Sequence, residues 1–233
     1  MGQHAQPAAD SFARATGLLA EFERHDRSRD KTGTAVADTA GMSRQAALDT
    51  CKYPGMYAPA LAAILDAGAE ETDRGLRFLH LGANHGTFCR FLQDLPGMRL
   101  SAALDLDLDA LRRGRTWQLR DAILADAVSL AALRAGSLDL LLAESLYVPN
   151  YWRPPQIAGG LDAAACVLRD DGLLLVQEWG FDFSRGFAAA LAVAGLRERR
   201  RITGPAETQQ GVRHVTCFVY GKGEKCSPPA GRA

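Results

Sequence analysis

Arg77-Phe-Leu-His-Leu-Gly-Ala-Asn-His-Gly-Thr-Phe-Cys-Arg-Phe91 decides the fold class of this chain. Phe78, Leu79 and Leu81 form a short apolar run, as a buried strand does. Beyond it, Phe88, Phe91, Leu92 and Leu95 recur at i, i+3, i+4 and i+7, the spacing of one helix face. Gly82-Ala83-Asn84-His85-Gly86 lies between the two as a tight strand-to-helix turn. Such a turn brings backbone close to a ligand and sets a helix N-terminus beside it. The stretch therefore reads as the cofactor end of an α/β sheet.

Outward from this turn the pattern alternates. The sequence predicts strands over 76–81, 99–104, 122–125, 138–143 and 173–177, with helices over 86–95, 108–119, 155–168 and 183–194. Runs 196–202 and 212–220 follow with no helix between them, which predicts a hairpin. The expected architecture is a Rossmann-like α/β fold: a doubly wound, mostly parallel sheet closed by a C-terminal antiparallel hairpin. Before it, Phe12, Ala15, Leu19 and Phe22 predict a helix to about residue 25 behind a frayed 1–10, and Leu61, Ile64 and Leu65 a second around 57–67. The polar stretch 25–41 is expected to be a mobile loop. The resulting division is a helical cap or lid over 1–74, the α/β domain over 75–222, and a disordered tail over 223–233.

At 233 residues the chain suits one α/β domain with additions, not two full domains. Lys+Arg and Asp+Glu are both 27, so no basic excess points to nucleic acid as the main substrate. Five cysteines without a CxxC pair favour reduced thiols over disulfides or structural zinc. No basic-then-apolar leader opens the chain, and no apolar run approaches the length of about 18 residues that a membrane helix needs. The expectation is a soluble, cytoplasmic protein without membrane or nucleic-acid partners; a homodimer stays open.

Ligands of such sheets bind beyond the carboxyl ends of the strands. There the sequence places Asn84 and His85, then Asp105, Asp126, Glu144 and Glu178, one polar set per strand. A nicotinamide dinucleotide fingerprint, G-x-G-x-x-G, would need glycine at Asn84 and Thr87.

The order of these motifs resembles the class I S-adenosylmethionine-dependent methyltransferases, over about residues 76–221. HLGANHG stands where that family has an acid-x-Gly-x-Gly-x-Gly motif, Asp105 where an acid binds the ribose hydroxyls, and Asp126-Ala127 where an acid and the next amide meet the adenine. SLDLLLAESLYV matches the fourth strand and the motif after it. The resemblance implies S-adenosylmethionine as cofactor, held by Gly82, Ala83, Asn84, His85, Gly86, Asp105, Leu106, Asp126, Ala127 and Glu144. It departs from the pattern at His80, in place of the first acid, and at Asn84, in place of the middle glycine. Asparagine tolerates the left-handed backbone best among non-glycine residues, so the turn is expected to survive.

Glu144 is the first choice for a catalytic base or amine holder, with His85 beside the methionine end or the substrate. Tyr53, Tyr57, Tyr147, Trp152 and Trp179 are expected to wall the acceptor pocket, with Lys52 and Tyr151 near them. Glu144, Glu178 and Asp182 supply a Mg²⁺ alternative, which is not preferred; no metal is expected. Asp107, two residues past Asp105, is the expected helix cap. The absence of NPPY, where ESLY stands, argues further against nucleic-acid bases. ESLY is loosely similar to the corresponding motif of nodulation-type N-methyltransferases. The expected activity is methyl transfer to a small molecule, an amine by preference, with oxygen and sulfur acceptors open. A non-methylating cyclase or decarboxylase, or a binding protein on the same fold, is the alternative.

Overall fold

The computed structural model describes residues 6–30, 54–70, 74–116, 118–147, 152–178, 183–184, 186–208 and 211–223. The expected mobile stretch beyond residue 30, Lys52, Tyr53, Tyr151, Trp179, Asp182 and the tail past residue 223 lie outside them.

Seven strands form one sheet in the order β3-β2-β1-β4-β5-β7-β6. They are β1 (Leu76–Leu81), β2 (Met98–Asp105), β3 (Asp121–Leu124), β4 (Leu138–Glu144), β5 (Leu168–Glu178), β6 (Leu196–Thr208) and β7 (Gly211–Lys222). Strands β1 to β5 pair in parallel, while β7 runs antiparallel to both β5 and β6. This is the predicted mostly parallel sheet closed by an antiparallel hairpin. Strand β4 is buried along its whole length, as a central strand covered on both faces must be. The order reverses between β1 and β4, and that switch point is where an open α/β sheet has its crevice.

The helices are α1 (Gln6–Asp30), α2 (Ala58–Glu70), α3 (Thr87–Leu92), α4 (Leu108–Thr116), α5 (Pro154–Val167) and α6 (Phe187–Val193), with a 3₁₀ turn, Pro54–Tyr57, leading into α2. Helix α1 starts earlier than the frayed end expected over 1–10, and it continues through the first six residues of the predicted loop. Those six are polar, so no apolar periodicity marked them as helical. On one face Ala15 and Leu19 of α1, Leu61 and Ile64 of α2, and Phe88 and Leu92 of α3 share a core with Phe78, Leu142 and Val219. Asp66 of α2 accepts hydrogen bonds from Ser11 of α1 and Arg200 of β6, locking these elements together. The N-terminal helices are thus a layer of the sheet's own core. On the other face Ile157 and Leu161 of α5 and Phe187 and Leu191 of α6 pack on Leu79, Leu141 and Val176.

Three strands run well past their predicted ranges. Strand β5 begins at Leu168, directly after α5, and β6 and β7 extend their hairpin to Thr208 and Gly211. The extension runs through Gly204-Pro205-Ala206-Glu207, where little apolar alternation marks a strand. Pro205 fits because β6 is the edge of the sheet. Among the described residues, no helix is long and apolar enough to cross a membrane.

Candidate functional site

Three residues of the turn after β1 take left-handed backbone: Gly82 at φ 64°, Asn84 at φ 52° and Gly86 at φ 69°. Asn84 thus adopts the conformation expected of it. Glycine at 86 is also demanded by space, since a Cβ there would lie 2.7 Å from Leu119 Cδ2 and 2.9 Å from Ala103 Cβ. A Cβ at Gly82 would come within 3.1 Å of Leu146 Cδ2.

The turn is pinned by Asp105. Its Oδ2 accepts the Asn84 backbone N–H at 2.7 Å, and its Oδ1 accepts that of Asp107 at 2.9 Å. One carboxylate therefore ties the loop after β1 to the loop after β2. Asp107 caps α4, with Oδ1 accepting from the amides of Asp109 and Ala110, both at 2.9 Å. Those bonds hold its carboxyl below the usual range, the Ala110 amide contributing most. After β3, Asp126 Oδ1 accepts the Val128 amide at 2.9 Å and turns the chain under Ala127.

Above these loops lies a cavity of about 400 Å³. Gly82 and Asn84 line it from the first loop, Asp105 and Leu106 from the second, and Asp126 and Ala127 from the third. Glu144, Ser145 and Leu146 line it from the end of β4, and Trp152 from the entry to α5. Three strand-end carboxylates, Asp105, Asp126 and Glu144, thus converge there, with Asp107 beside them and no basic side chain among the lining residues. Such a wall accepts hydroxyl and amine donors and favours positive charge, whereas a pyrophosphate would be repelled. Leu106, 69% exposed, offers an apolar surface at the rim. Trp152 reaches its place because Gly160 has no side chain: a Cβ there would lie 2.5 Å from the indole Cζ3.

Glu144 is 3% exposed and is held from behind. Tyr57, from the 3₁₀ turn, donates its hydroxyl to Glu144 Oε2 at 2.8 Å, and His80 Nε2 lies 3.7 Å from the same oxygen. The Tyr57 ring stacks on Phe88 at 4.2 Å and meets His80 edge-on at 5.8 Å. His80 thus stands against a buried carboxylate. No sequence signal announced the Tyr57–Glu144 bond, because its partners are 87 residues apart.

Some predicted residues lie elsewhere. Ala83 and Gly86 shape the turn without lining the cavity. His85 is buried off the cavity, and its Nε2 accepts the Nε–H of Arg113 at 2.8 Å. Burial first, and the Arg113 charge second, lower its pKa. Tyr147 is fully buried behind Trp152, with ring centroids 5.2 Å apart and edge-on geometry, so it supports the wall and does not form it. Glu178 is buried and does not line the cavity. Successive strand residues point to opposite faces, and Glu144 pairs in register with Gln177, so Glu178 faces away from Glu144. The pair therefore makes no shared metal site; among the described residues no cluster of three metal-ligating side chains occurs. Gln177 was missed, although a polar residue closing the run Leu173-Leu-Leu-Val176 was its visible signal.

No family model matches the chain, and no curated protein matches it in sequence. Solved structures do resemble it. A SAM-dependent methyltransferase from Methanosarcina mazei superposes with a TM-score of 0.54 at 12% identity, covering 66% of this chain and 96% of its own. A TehB-like SAM-dependent methyltransferase from Corynebacterium glutamicum gives 0.53 at 16% identity, covering 87% and 98%. A Haloferax volcanii protein in complex with the Trm112 methyltransferase activator gives 0.54 at 17%, covering 75% and 94%. This chain has the class I S-adenosylmethionine-dependent methyltransferase fold. The described cavity lies at the switch point of the sheet, where open α/β sheets bind their ligands.

Proposed function

We propose that the protein is an S-adenosylmethionine-dependent methyltransferase acting on a small molecule, an amine by preference. The observation that carries this reading is the cavity at the switch point, whose charged lining residues are all acidic and which a glycine loop walls. S-adenosylmethionine fits it chemically: it bears two ribose hydroxyls, a sulfonium and an ammonium against a single carboxylate, so it is net positive, and it has no phosphate. Asp105 would accept from the hydroxyls while keeping the two loop amides. Asp126, Ala127 and Leu106 would take the adenine, and Gly82 and Asn84 the methionine end.

When bound, the cofactor supplies a methyl group on a positively charged sulfur, ready for in-line attack. The protein's share is to orient the acceptor and exclude water. Glu144, fixed by Tyr57 and His80, is placed to hold an acceptor N–H and to take its proton. Trp152 shapes the wall beside it. We assign His85 to packing against Arg113 rather than to catalysis. Tyr53 and Trp179 belong to this proposal as acceptor-pocket residues on sequence grounds alone. A non-methylating enzyme or a binding protein would use the same cavity, and turnover separates them. Incubation with S-adenosylmethionine and panels of amines, phenols and thiols should yield S-adenosylhomocysteine, fastest with amines. Glu144→Gln should lower kcat by about 10²-fold or more, the scale of general-base loss; unchanged turnover across pH would remove Glu144 from this role.

A further inference from the structure

Gln177 carries a buried polar side chain beside the cavity's last acid. It is fully buried at the carboxyl end of β5, and neither Nε2 nor Oε1 of its amide has a hydrogen-bond partner among the described residues. An amide left so is costly, by about 1–3 kcal/mol for each unsatisfied group. Its register partners are Glu144 on β4, whose carboxylate accepts from Tyr57 instead, and Cys217 on β7, so the amide stays unbonded between them. The same face of β5 carries Leu173 and Leu175, which belong to the apolar core.

Its position supplies the reason. Read across the sheet, the carboxyl ends carry Asp126 after β3, Asp105 on β2, the glycine turn after β1, Glu144 on β4 and Gln177 on β5. Parallel neighbours are about 4.8 Å apart, so Gln177 stands one strand beyond the cavity's last acid, on the same face. Gln177 itself lies behind the cavity lining, so an acceptor group that passes Glu144 meets it next. Ser145, beside Glu144, holds a left-handed φ of 53° and donates its N–H to the Gln177 carbonyl at 3.2 Å, tying the two strand ends. Strain of this kind concentrates where a site is being shaped.

We propose that Glu144 and Gln177 together form the acceptor subsite, and that it selects an amine. An amine nitrogen has more than one N–H to give, so it satisfies the Glu144 carboxylate and the Gln177 Oε1 at once. A phenol or thiol has a single proton and leaves one of the two unmet. Tyr57 and His80 are positioning residues that hold the carboxylate toward this subsite.

The inference rests on the methyltransferase reading, and one experiment separates their failures. Sinefungin carries an amine in place of the transferred methyl, on the carbon that replaces the sulfur, so its N–H groups point toward the acceptor subsite. Calorimetric titration of the full chain should show sinefungin binding at least about tenfold more tightly than S-adenosylhomocysteine, as a charge-assisted bond gives. Gln177→Leu and Glu144→Gln should each bring that ratio to within about threefold of unity. Gln177→Leu should leave S-adenosylhomocysteine affinity unchanged and the melting temperature no lower than that of the parent. Gln177→Met, closer in length, gives the same readout should leucine pack poorly. Equal affinities in the parent, or a ratio that survives Gln177→Leu, would overturn the amine subsite while leaving the cofactor site standing. Binding of neither ligand would overturn both.

Discussion

Gly86 and His85 sit side by side in the turn after β1, and each is set by what lies against it. At Gly86 both the left-handed φ and the closeness of Leu119 and Ala103 exclude a side chain. Gly86→Ala should destabilise the protein by about 1–3 kcal/mol, from backbone strain and overpacking together, as read by chemical denaturation. Asn84→Gly, at a position without such crowding, should change stability by no more than about 1 kcal/mol. His85 illustrates the electrostatic side. Its Nε2 accepts from Arg113, so a proton there would face a guanidinium. The pKa lies below the ordinary 6.5 in the folded state, and the unfolded chain therefore binds the proton first. The stability it contributes is present above about pH 6.5 and is lost as pH falls through the folded value. Denaturation midpoints should thus fall on acidification, and His85→Gln, which keeps an acceptor for Arg113, should flatten that fall.

Elements differ in how openly the sequence declared them. Strand β1 was legible at both ends because an apolar run abuts Gly75 and Gly82. The cap of α4 was legible because Asp107 offers its carboxylate two and three residues ahead of the amides it binds. The reach of α1 and of the β6–β7 hairpin was not, since the sequence of their outer portions carries no apolar periodicity. Candidate site residues followed the same rule. Asp105, Asp126 and Glu144 were readable from strand ends, whereas the face each strand turns to the site depends on register. That parity separates Gln177, beside Glu144, from Glu178, behind it. The role of α1 was also veiled: its apolar stripe fits a lid as well as a core layer. Leu19 is 1% exposed within the core shared with the sheet. Leu19→Ala should therefore lower global stability by about 2–5 kcal/mol in one cooperative transition. An early, separate transition of the N-terminal helices would instead mark them as an independent cap.

Across the whole molecule, zero net charge coexists with a cavity whose charged lining residues are all acids. The sheet order makes this local: consecutive strands β3, β2, β1 and β4 bring their carboxyl ends into one row. The fold supplies the row and the side chains supply the chemistry, and neither names the acceptor by itself. We propose that this row binds S-adenosylmethionine through Asp105. Isothermal titration of S-adenosylmethionine into the full chain tests it most directly. Saturable one-to-one binding is predicted, weakened at least about tenfold in Asp105→Ala. No heat of binding, or equal affinity in that variant, would contradict the account.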